Sequence, residues 1–118
     1  MLLASVPGIA QAVPEQDICH RLVQGLHEEV RLLSSIGDEA SAESAVEPLC
    51  RVMQQLDALH SQVNEDELWL YIDNTPGIKQ PLIEEIERLF VQLQRLEDAE
   101  FYGSKTLQEA LEPLLNGA

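Results

Sequence analysis

Aromatic side chains are scarce: one Trp, two Tyr and two Phe make up 4% of 118 residues. Leu, Ile, Val and Ala must therefore do the packing, which suits helices better than sheets. Basic residues are few as well. Seven Lys and Arg stand against 21 Asp and Glu, a formal charge of −14, and that field would repel a phosphate backbone, so nucleic acid is excluded as a partner. The same charge draws cations or basic partners toward the surface. No apolar run approaches the roughly 20 residues of a membrane span. The catalytic signatures are missing too: there is no Gly-rich phosphate loop, no Gly-x-Ser-x-Gly elbow and no Cys-x-x-Cys, so the chain reads as no enzyme.

What the chain has is a buried-stripe spacing. Ala45, Leu49, Val52, Leu56, Leu59 and Val63 keep alternating steps of three and four, and Leu82, Ile86, Leu89, Leu93 and Leu96 repeat the pattern. Residues so spaced share one helical face. The length suits one domain. The reading is all-α, an antiparallel bundle of three long helices with two or three short ones over residues 13–118.

The first helix is predicted from Pro14, with Ile18, Leu22, Leu26, Val30 or Leu33, and Ile36 buried and a stop at Gly37. A short helix over Ala40 to Glu47 then meets Pro48, where a kink is expected before a long run from Leu49 to Val63. Glu65 to Glu67 either open a new short helix or prolong that run. Asn74-Thr75-Pro76-Gly77 reads as a break. The third long helix is expected from Ile78 or Pro81 to about Glu100, and a last one with Thr106 and Glu109 as a capping box. Gly37 to Leu49 and Gly103 to Leu114 align as a short internal repeat, each ending in Glu-Pro-Leu.

Residues 1–12 read as a truncated signal peptide or an N-terminal tail. Leu2 to Ile9 are apolar and Ala10-Gln11-Ala12 offers a cleavage site before Val13, although no Lys or Arg precedes them. The implied location is the periplasm or the cell exterior, with the cytoplasm as the alternative. Cys19 and Cys50 are the only cysteines. A hairpin turning near Gly37 to Ala40 sets Cys19 near residue 58, about 12 Å along the axis from Cys50, too far to bond. Both are expected to be reduced.

Two Asp-x-x-His steps are the sharpest candidate site. The same hairpin places Asp17 beside His60 and His20 beside Asp57, four nitrogen and oxygen donors suited to Zn²⁺ or a similar divalent ion. Exposed Asp-His ion pairs explain the same spacing without a metal. His27, Glu28 and Glu29, and Glu84, Glu85 and Glu87 with Glu97 to Glu100, read as solvated faces. Trp69 and Tyr71 are the candidate partner-binding aromatics, Trp69 expected in the core and Tyr71 at the surface. Leu32, Leu70 and Val91 lie off the main stripes, where an interface would show.

DEASAESAVEPL, with the later NTPG and FYGS breaks, resembles small uncharacterised secreted helical proteins of bacteria. That resemblance implies export and a helical fold, and it transfers no activity, cofactor or site residue. The expected function is non-catalytic: a structural module, or one that binds a protein partner or another copy of itself, with metal binding as the alternative.

Overall fold

The computed structural model describes residues 15–116, so the leader-like residues 1–12 and the helix start expected at Pro14 lie outside the described residues. Within that range the chain is wholly helical. Its elements are α1 (Glu15–Ser34), α2 (Glu39–His60), α3 (Glu65–Asp73), α4 (Pro76–Asp98), a tight turn at Glu100–Gly103, and α5 (Lys105–Leu115). No helix among the described residues is long and apolar enough to cross a membrane.

Three expectations are corrected by local chemistry. The helix does not stop at Pro48: α2 is one element of 22 residues with the proline inside it. A proline there frees the carbonyl of Ser44, four residues earlier, and Ser44 is exposed, so water can take the lost bond. The expected break falls at Asn74-Thr75, between α3 and α4, but Pro76-Gly77 belong to α4 and open it ahead of the start expected at Ile78 or Pro81, with Pro76 in the first turn, where a missing N–H costs nothing. The cap of α5 is Ser104, not Thr106. The Ser104 hydroxyl accepts from the Leu107 amide at 3.1 Å and donates to the carboxylate of Glu43 on α2. The alternative left open at Glu65 is resolved as a new helix, with Asn64 accepting from the Glu67 amide at 3.1 Å.

α1 is the axis of the molecule. It packs along α2 on one side and α4 on the other, whereas α2 and α4 barely approach each other. Gly25 permits the close approach of α1 to α2: a Cβ there would stand 2.5 Å from Leu56 Cδ2. That contact also corrects the register by about one helical turn, since the expected hairpin sets Gly25 level with Val52. The first turns of α2 therefore run on past the end of α1 and pack against α5, which brings the two copies of the internal repeat together.

The core divides into two apolar clusters. Leu33, Ile36, Ala45, Leu49, Leu93, Leu96 and Leu107 belong to one, and Ile18, Leu22, Leu68, Ile72 and Leu82 to the other. Leu26 touches both. The result is an elongated body of 59 × 26 × 21 Å.

Side chains satisfy the last carbonyls of α1 and that of Ile36 just after it. Ser34 Oγ donates to the Arg31 carbonyl and Ser35 Oγ to that of Leu32. Arg95 of α4 donates through Nη2 to the Leu33 carbonyl at 2.8 Å and through Nη1 to that of Ile36 at 3.0 Å. Nη1 also donates to Tyr102 Oη at 3.0 Å. A cation at the negative end of a helix is favourable, and a planar fork can serve two carbonyls together. Arg95→Ala should lower stability by about 2 to 3 kcal/mol, read from urea unfolding. Arg95→Lys should recover only part of that loss, and full recovery by Lys would show that charge alone matters.

Candidate functional site

Where α2 and α4 part, an apolar cleft of about 150 Å³ opens. Its floor is Leu22 and Leu26 of α1, and its walls are Leu56 and His60 of α2 and Leu82 and Ile86 of α4. α3 closes one end with Leu68, Trp69 and Ile72. The volume is below the roughly 300 Å³ at which small-molecule sites begin, so it fits one or two side chains rather than a cofactor. A larger hollow of about 430 Å³ between α1 and α2 mixes Val52, Leu56 and Leu59 with Arg21, Gln24, Glu28, Gln55 and Gln62, and its Arg21 and Glu28 are engaged in ion pairs with Asp17 and Arg31.

The aromatic assignments are reversed. Trp69 is 47% exposed, while Tyr71 is half-buried against the cluster of Leu68 and Ile72. On α3 the core face carries Leu68 and Ile72. Trp69 and Tyr71 flank that face on opposite edges, each next to one of the two residues and one turn from the other; the edge of Tyr71 meets the bundle and that of Trp69 leans over the cleft. Leu70 and Val91, both off the stripes, are each 64% exposed, and Phe90 is 61% exposed. Leu32 is half-buried.

Of the four Asp-x-x-His residues, Asp17 is half-buried and pairs with Arg21 at 3.2 Å. His20 and Asp57 are exposed, and His60 is exposed at the cleft wall. The one-turn change of register brings His60, rather than Asp57, level with His20. Among the described residues no group of three or more His, Cys, Asp or Glu side chains is placed to hold a metal ion, so the four are not gathered into one. Cys19 is buried, Cys50 is half-buried and neither is bonded to the other. Burial, and secondarily the charge of Glu15, push the Cys19 thiol up, which lowers its nucleophilic fraction.

Two carboxylates taken as solvated are in fact buried. Glu29 is 1% exposed and Glu85 7%. Glu85 Oε2 lies 3.1 Å from His27 Nδ1 and accepts from Arg88 Nη1 at 3.1 Å, while its Oε1 is buried without a partner. Neither oxygen of Glu29 has a partner. Its position was legible in part: Glu29 stands seven residues after Leu22 and four before Leu33, squarely on the buried stripe of α1. Loss of hydration pushes its pKa from an ordinary 4.5 to about 7.

No protein family, curated protein or solved structure matches the chain.

The buried acid makes stability depend on pH in a definite direction. An unfolded chain releases the Glu29 proton near pH 4.5 and the folded one near 7. Folding therefore takes up a proton between those values, and this contribution to stability is whole below pH 4.5 and lost as pH rises to 7. Glu29→Gln should match the wild type at pH 4.5 and exceed it by up to about 3 kcal/mol at pH 8. Urea unfolding across that range tests this, and parallel curves for the two proteins would refute it.

Proposed function

We propose that the protein is an exported, non-catalytic helical module that binds another protein chain through the surface around Trp69. The observation that carries this reading is the apolar cleft between α2 and α4, open to solvent and edged by a half-exposed tryptophan. Tryptophan is the side chain most enriched at interface hot spots, and exposing such a ring without a partner is costly. Phe90 and Ile83, seven residues apart on α4, extend the same apolar line, with exposures of 61% and 38%. The cleft suits an inserted side chain better than a small ligand. The absence of catalysis rests on the sequence, where no nucleophile has a base at workable spacing. Export rests on the leader-like residues 2–12 and on the resemblance to secreted helical proteins. Self-association uses the same surface and is the second form of the reading.

Photo-crosslinking in the native host tests it. A photoreactive residue at Leu70 or Phe90 should give discrete adducts, of doubled mass if the partner is another copy, while the same residue at Glu109 on α5 gives none. Equal labelling from all three positions, or no adduct from any, would reject a partner surface at Trp69.

A further inference from the structure

We infer that the partner bound at this cleft is a basic amphipathic helix, whose apolar face enters between α2 and α4; this rests on the protein-binding reading above. The first argument is shape. α1, α2 and α4 supply a floor and two walls, all helical, and the walls barely approach each other. One more helix can therefore lie over the seam along the two walls, with one or two of its apolar side chains inserted in the cleft. An amphipathic helix offers anchors at steps of three, four and seven residues, which match the line of Ile83, Ile86 and Phe90 on the α4 wall. Among the described residues there is no strand, so no sheet edge is available to a partner that binds by strand addition.

The second argument is charge. Exposed acids flank the apolar line on each helix that borders it: Asp57 lies one turn from His60, Asp66 and Asp73 one turn either side of Trp69, and Glu87 one turn from both Ile83 and Phe90. The only Lys or Arg among those neighbours, Lys79, is engaged with Asp73 at 3.3 Å. Elsewhere Arg21, Arg31 and Arg88 are held in ion pairs along their own helices, and Arg95 by the carbonyls of α1. Five of the seven cations are thus already satisfied, and with Asp73 taken by Lys79 the rim acids left for an outside partner are Asp57, Asp66 and Glu87. A second copy carries the same net charge of −14 over its whole surface, which repels rather than steers. A polybasic segment gains from the same field.

Trp69 is the sole tryptophan, so its emission reports occupancy of the cleft directly. The probe is a Leu/Lys amphipathic peptide of about 18 residues, roughly 27 Å of helix, with a Ser/Lys peptide of equal charge and a Leu/Glu peptide of equal amphipathicity as controls. A saturating blue shift with the Leu/Lys peptide alone, weakened at least about tenfold in affinity by Asp57→Lys with Asp66→Lys, is the expected result. Since both are exposed sites, circular dichroism should show that double variant folded. An equal shift with either control peptide, or no weakening by the double variant, overturns the inference. So does a blue shift produced by concentrating the protein alone with a doubling of mass, which would install a second copy in the cleft. No shift with any peptide overturns it too, while crosslinks from Leu70 and Phe90 would still uphold the broader reading.

Discussion

Arg95 lays a planar guanidinium across the last carbonyls of α1 and, with the same group, donates to Tyr102 just beyond the end of α4. One side chain thus joins the end of the first long helix, the last turns of the third, and the turn that leads into α5. The turn itself is unfavourable. Glu100, Phe101 and Tyr102 all hold φ near +55°, a left-handed conformation that costs a non-glycine residue roughly 1 to 2 kcal/mol. Burial of Phe101 and the bond to Tyr102 offset that cost. Without them the chain would not reverse sharply enough to lay α5 on the projecting start of α2.

With α1 tied to α4 by Arg95 at one end and to α2 by the Gly25 contact near its middle, the placement of both outer helices is set by α1 rather than by each other. They diverge, and the two apolar clusters form where α3 and α5 fill the divergence at opposite ends. Near the middle the floor of α1 passes from Leu26 to Glu29. Between the two clusters an unpartnered carboxyl thus takes a buried place on the stripe that an aliphatic side chain would otherwise fill.

The heptad steps made the helical class and most of the core legible. Leu49, Val52 and Leu59 of one stripe, and Leu82, Leu89, Leu93 and Leu96 of the other, are all buried. Spacing identifies a face but not what lies opposite it, and the misassigned side chains have that origin. Glu29 occupies a stripe position, yet its charge argued for solvent. Glu85 is one turn from Leu82 and Leu89 and was assigned to the wrong face for the same reason. Trp69 and Tyr71 exchanged places because hydrophobicity alone cannot say which edge of a nine-residue helix meets the bundle. The hairpin register slipped by a turn because it was counted from the loop, whereas the glycine approach at Leu56 decides it. Pro48 signals a kink and Pro76 a break because their local cost is real; the exposed position of Ser44, whose carbonyl water can reach, lets α2 run on through the first, and a first-turn position lets α4 begin at the second.

The cleft is a consequence of those same constraints. Closing it would require α2 and α4 to rotate toward each other about α1, which would move Leu56 off Gly25 and carry Arg95 away from the carbonyls of Leu33 and Ile36. Each loss leaves a defect: an unfilled contact at a residue with no side chain, or acceptors at the end of a helix without a donor. The apolar surface of one or two side chains gained in return is worth only about 1.5 to 3 kcal/mol each. The cleft thus coexists with both contacts, and a side chain inserted from outside gains that apolar burial without disturbing either.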